Sequence, residues 1–211
     1  MISSRPLAKL FLLSVLAVGT LVAQTTETKQ PAAPAKKQPA PKIANSTGGT
    51  TPHETTSTVV EGNRVTVVYG RPFAKHPRTG EVRKVWGGLV PYGKVWRTGS
   101  DEATLLITQQ AIVLGGATIP AGAYTLWTLP REDGTAKLIV NKQIGQWGAG
   151  PDLKKIYDEA NDLARVDLKK AALAANVDQF TIAVERVAAG GGALKLKWEA
   201  TEYSVPFTLK K

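Results

Sequence analysis

The chain of 211 residues contains no cysteine, only two histidines and a single methionine. Without thiols it can form no disulfide, thiolate metal site, cysteine nucleophile or lipid-anchored cysteine. His53 and His76 alone fall short of the three or four N, S or O ligands that a zinc centre takes. A serine triad would have to use His76, and no Gly-x-Ser-x-Gly elbow is present. The glycines spell neither a phosphate loop nor a dinucleotide fingerprint. No metal and no cofactor are expected. Acid is locally scarce too: Arg64, Arg71, Lys75, Arg78, Arg83, Lys84, Lys94 and Arg97 stand against only Glu81 between positions 64 and 97. The whole chain carries a formal net charge of +10, and this basic stretch favours anionic partners.

The composition divides the chain into three parts. Arg5 and Lys9 lead into the apolar run Leu10–Ala23, and small, polar residues follow. A basic start and an apolar run too short for a membrane span, which takes roughly 20 residues, describe a secretory signal peptide over 1–23. No later segment is apolar enough to span a bilayer, so no transmembrane segment is expected in the mature chain. Export to the periplasm or beyond is the expectation. Residues 24–57 are rich in Pro, Ala, Lys, Thr and Gln and cannot bury enough apolar surface to offset their ordering entropy. They are expected to form a disordered spacer. Residues 58–211 have the composition and length of one globular domain.

Within that domain, period-two alternation recurs. Leu194, Leu196, Trp198 and Ala200 share one face, Phe180, Ile182 and Val184 another, and Tyr203, Val205, Phe207 and Leu209 a third. One dry and one wet face per strand is the mark of antiparallel sheet. Pro206 suits an edge or a bulge. Gly115-Gly116 sits between two short apolar runs, as in a two-residue hairpin. Further Gly-rich turns separate the other runs, which points to an all-β antiparallel sandwich, jelly-roll-like. Leu153, Ile156, Tyr157, Ala160 and Leu163 instead follow helical spacing after Pro151-Asp152, so one short helix is expected, leading into a strand near Leu163–Leu168.

The densest chemistry lies in Trp86-Gly-Gly-Leu-Val-Pro-Tyr-Gly-Lys-Val-Trp-Arg-Thr-Gly-Ser-Asp-Glu-Ala-Thr104. Its glycines and proline mark a shaped loop. With Tyr69-Gly-Arg-Pro72, Ile119-Pro-Ala-Gly-Ala-Tyr-Thr-Leu126, Asn141-Lys142 and Gln146-Trp-Gly148, this block resembles a group of secreted bacterial proteins classed as domain of unknown function 2911. The resemblance covers most of residues 64–209. The chain departs from the group's pattern at Ser100-Asp101, where relatives often carry Ala-Asn, and in extra residues around Lys75–Glu81. The resemblance implies no established activity.

Several side chains of the block are candidates for a site. The guanidinium of Arg97 is a planar fork suited to a ligand anion or to Glu102, five residues on. Asp101 and Glu102 are neighbours that would face opposite sides of a strand, a poor arrangement for paired acid–base work, and loop capping is the simpler role for them. Trp127 and Trp198 read as core, Trp96 and Trp147 as pocket walls. The expected function is a non-catalytic binding or envelope-associated module. Its basic, aromatic-edged pocket around residues 92–102 would use Arg71, Tyr92, Lys94, Trp96, Arg97, Asp101, Glu102 and Trp147. The alternative is a secreted hydrolase with Glu102 or Asp101 as acid or base. The expected partner is a small anionic molecule or a cell-envelope component. Export argues against nucleic acid despite the charge.

Overall fold

The computed structural model describes residues 51–147 and 156–211. The expected signal peptide, the spacer up to residue 50 and the first part of the expected helix lie outside the described residues. Nine strands follow in chain order: β1 (His53–Val60), β2 (Asn63–Gly70), β3 (Thr104–Thr108), β4 (Ile112–Leu114), β5 (Ala117–Ile119), β6 (Gly122–Pro130), β7 (Ala136–Asn141), β8 (Asp162–Arg186) and β9 (Gly192–Leu209). Every pairing between them is antiparallel, in the order β1-β2-β3-β6-β7-β8-β9-β4-β5. The all-β antiparallel fold is the one the alternation predicts.

β8 organises the rest. At 25 residues it is far longer than an ordinary strand of about 5–6. Its first part, to Leu168, pairs with β7, and from Lys169 onward it pairs with β9. One strand thus belongs to two sheets. Pro206 lies in β9 just past the end of its pairing with β4, whose last pair is Leu114 opposite Phe207, and its carbonyl accepts the Gly115 amide of the turn at 3.0 Å. A missing N–H does no harm at that position.

Along residues 178–184, the edge of β8 away from β9 is closed by side chains and loop backbone rather than by a strand ladder. The amide of Ile182 donates to the Tyr69 hydroxyl at 2.8 Å, and that hydroxyl donates back to the Ile182 carbonyl at 3.3 Å. Thr58 Oγ1 donates to Val184 O, Arg71 Nε to Phe180 O, and the Phe180 amide to Pro72 O. The Ala74 amide donates to Asp178 O, which also accepts the Trp198 indole N–H. Backbone groups buried without partners cost as much as a lost hydrogen bond, so this seam is what lets β1 and β2 cover β8. Beneath it lie Tyr69, Phe180 and Trp198, each no more than 1 % exposed, with their rings in edge-on or tilted contact. Desolvation raises the phenol pKa of Tyr69, so the hydroxyl stays protonated and able to donate.

Three expectations are corrected. β1 begins at His53, inside the stretch assigned to the spacer. Its Thr, Ser, His and Glu residues carry no apolar signal; it is a strand because its backbone pairs with all of β2. The expected helix is only a single 3-10 turn, Glu159–Asn161, over its described part, capped by the Asp158 side chain accepting from the Ala160 amide. The strand then starts at Asp162, where Asn141 Nδ2 and Arg165 Nε both hold the carboxylate. Finally, the runs at Leu194 and Tyr203 are one strand. Glu199 takes a φ of 50°, the pairing with β8 shifts register there, and the inward positions change from even to odd. Ala200 is therefore exposed, although Trp198 is buried.

Candidate functional site

The loop from Trp96 to Thr104 is strapped to the sheet at both ends. Trp96 and Thr128 exchange backbone hydrogen bonds at 2.8 and 2.7 Å. Thr98 Oγ1 lies 2.8 Å from Thr128 Oγ1, and Thr104 Oγ1 donates to Thr98 O at 2.6 Å. The Ser100 amide donates to Gly70 O. Gly70 is required here, since a Cβ would lie 2.3 Å from the Ser100 carbonyl oxygen. Held this way, Thr98 and Asp101 adopt φ angles of 57° and 66°. Left-handed backbone at non-glycine residues costs on the order of 1–3 kcal/mol each and persists only where the surroundings over-determine it.

Around this loop the structure assembles a corner the sequence did not announce. His53, at the start of β1, has its Nε2 3.1 Å from Glu102 Oε2 and 3.7 Å from Asp101 Oδ2. The segment ahead of Gly148 lies alongside: the Ala103 amide donates to Gln146 O at 2.9 Å, and Glu102 bridges to Trp147. Arg97 lies in the field of both carboxylates. Burial lowers its pKa, and the charges of Asp101 and Glu102 oppose that shift. Among the described residues, Ser100 Oγ, Asp101 Oδ2 and both amide atoms of Gln146 are buried without a hydrogen-bond partner. The Trp86 indole N–H is in the same condition, inside the aromatic core. The Gln146 residue is only 7 % exposed and Ser100 only 8 %. Trp147, by contrast, is 43 % exposed.

The eight expected site residues therefore separate. Arg97, Asp101, Glu102 and Trp147 meet at the corner. Trp96 is partly buried and packs against the core: its ring stacks on Trp198 at 5.7 Å and meets Phe180 and Trp86 edge-on. Tyr92 packs against that core, its ring over Gly87, where a Cβ would come within 2.6 Å of it. Lys94 is exposed, on a turn fixed by the Gly93 amide donating to Pro130 O. Arg71 belongs to the seam, paired with Glu54 and donating to Thr181 Oγ1. His53, Ser100 and Gln146 complete the corner. His53 was hidden by its polar surroundings, whereas Gln146 lies within one of the motif blocks.

Chemically, the corner offers carboxylate acceptors, an amide that both donates and accepts, a hydroxyl, an imidazole and a half-exposed indole. Among the described residues, no group of three or more His, Asp or Glu side chains is placed to hold a metal ion. Nor is any helix among them long and apolar enough to cross a membrane.

The chain is an all-β antiparallel domain with a polar loop corner beside the start of β1. Residues 51–207 match the family described as "Protein of unknown function (DUF2911)", and the chain belongs to that family. No curated protein and no solved structure matches the chain.

Proposed function

We propose that the protein is exported and acts as a non-catalytic binding or envelope-associated module, its ligand held at the corner formed by His53, Arg97, Asp101, Glu102, Gln146 and Trp147. The observation that carries this reading is the group of buried polar atoms without a hydrogen-bond partner on Ser100 and Gln146, with Asp101 Oδ2 met only by His53 at 3.7 Å, beside an exposed tryptophan. Buried polar groups are satisfied in the great majority of cases, so several exceptions meeting at one corner point to a partner from outside the chain. The mixed donors and acceptors suit a small polar ligand, with Trp147 as an apolar surface for it. Export rests on the basic start and apolar run of residues 1–23.

A screen of small polar metabolites, sugars and envelope fragments for thermal stabilisation of the purified protein tests the binding reading. A true ligand should lose about tenfold in affinity in Trp147→Ala, the size of one lost aromatic contact. Binding left intact by changes at Trp147, Glu102 and Gln146 together would place the ligand elsewhere. Amino-terminal sequencing of the protein from cell fractions tests export: a mature chain starting at Gln24 outside the cytoplasm is expected.

The His53–Glu102 hydrogen bond favours one second reading, a secreted hydrolase with acid–base chemistry at Glu102. In that case Glu102→Gln would lower turnover by about 10²–10⁴ while binding is retained. A binding module would lose affinity in graded steps and have no turnover to lose.

A further inference from the structure

A second opening lies apart from the corner, on the loop that follows β2. A depression of about 600 Å³ is walled by Pro72, Phe73 and Pro77 and carries His76, Arg78 and Arg83. No carboxylate lines it. The volume falls in the range of small-molecule sites, about 300–1,000 Å³.

The basic groups are held in different ways. Arg83 donates from Nε to Ala74 O at 3.2 Å and from Nη2 to Phe73 O at 2.6 Å. Those two bonds fix the plane of the fork, and Nη1 makes no bond among the described residues. His76 Nδ1 accepts the backbone amides of Arg78 at 3.3 Å and Thr79 at 3.2 Å. The neutral ring therefore carries its proton on Nε2, and any bond it gives a ligand is a donated one. Arg78 is exposed, and its guanidinium makes no bond among the described residues. The nearby acids are engaged or turned outward: Asp178 Oδ1 accepts the Lys75 amide, and Glu81 is exposed. The loop itself is a small hairpin, with the His76 amide donating to Glu81 O at 2.7 Å and the Arg83 amide to Ala74 O at 3.1 Å.

Donors without acceptors select an anion, and a planar fork selects a carboxylate or phosphate. The Pro and Phe walls select an apolar body attached to it. We propose that this depression binds an anion bearing an apolar group, a phosphate monoester or a carboxylate, met either free in solution or as a lipid headgroup. Arg78 and Arg83 hold the charged end, His76 donates a further bond, and Phe73 covers the apolar part.

Calorimetric titration of the full chain with phenyl phosphate, with inorganic phosphate as comparator, tests the proposal. Phenyl phosphate should bind saturably and more tightly than inorganic phosphate, and Arg78→Gln should weaken it about tenfold, the size of one lost charge-assisted bond. Phe73→Leu should narrow the gap between the two anions. If that variant folds poorly, the comparison on the unchanged protein still tests the wall. Vesicles with and without phosphatidic acid identify the source: binding that needs both the acid and Arg78 assigns a headgroup, and binding of phenyl phosphate alone assigns a free ligand. Equal affinity for the two phosphates, indifference to Arg78→Gln, or no binding of either phenyl phosphate or vesicles overturns the site. Trp147→Ala and Glu102→Gln should leave these titrations unchanged, so failure here is separable from failure at the corner.

Discussion

The seam between β2 and β8 and the corner around Asp101 are built from the same kinds of residue to opposite ends. At the seam, a tyrosine hydroxyl, a threonine and an arginine satisfy the backbone of Ile182, Val184 and Phe180. At the corner, a serine, an aspartate and a glutamine hold buried polar atoms that have no hydrogen-bond partner among the described residues. Where the fold can satisfy buried polar groups it does so with side chains recruited from distant strands. What stays unsatisfied in the same molecule is therefore informative, because the chain had the means to avoid it.

The largest expected effect is at the foot of the seam. Trp198→Ala should cost about 3–5 kcal/mol in denaturant melts, since it empties the centre of the Trp86, Trp96 and Phe180 cluster. A smaller loss would mean that the cluster collapses around the gap. Tyr69→Phe keeps the ring but strips both the N–H and the C=O of Ile182 of their partner. About 2 kcal/mol or more of stability should go with it. An unchanged melt would show that the seam is not what holds β8 to β2.

Outside both regions, Glu185 sits against Lys195 and Lys197, and its pKa is lowered chiefly by the hydrogen bond from Lys195. A depressed carboxylate contributes stability above its ordinary value of 4.5 and loses it as the pH falls through the folded value. Because the glutamate is partly exposed, the contribution should be under about 1 kcal/mol, and Glu185→Gln should flatten the acid limb of the stability–pH curve only slightly. The smallest change is expected at the corner. Gln146→Met removes polar atoms that have no partner, so stability should stay within about 0.5 kcal/mol or rise. A loss as large as that of Tyr69→Phe would erase the contrast between the two regions and show that Gln146 is satisfied after all.

Much of the fold was legible because burial imposes a period. The Gly115-Gly116 turn is where two short runs meet, with Leu114 opposite Ala117, and Trp127 and Trp198 are both core. What escaped the sequence escaped for physical reasons. β1 has no apolar period, since apart from Val60 at its end it contributes pairing with β2 and the Thr58 bond to Val184. The parity change at Glu199 is invisible to a rule that assumes unbroken pleating. At the corner, proximity in sequence grouped Arg97, Asp101 and Glu102 with Trp96, whose stacking on Trp198 depends on a strand a hundred residues away. His53 reaches the corner because the β1–β2 hairpin pairs along its full length, and its contact with Glu102, 49 residues on, depends on how that hairpin meets the loop.

The shared strand has a kinetic consequence. Thr58 and Val184 are 126 positions apart in the chain, and Tyr69 and Ile182 are 113 apart. Contacts of such separation are rewarded only after a long loop has closed, which places the domain among slow folders, in the range of milliseconds to seconds. During synthesis the amino-terminal strands must wait, half-covered, until the far end of β8 has emerged. Nearly the whole domain has to exist as chain before any of it can be finished as structure.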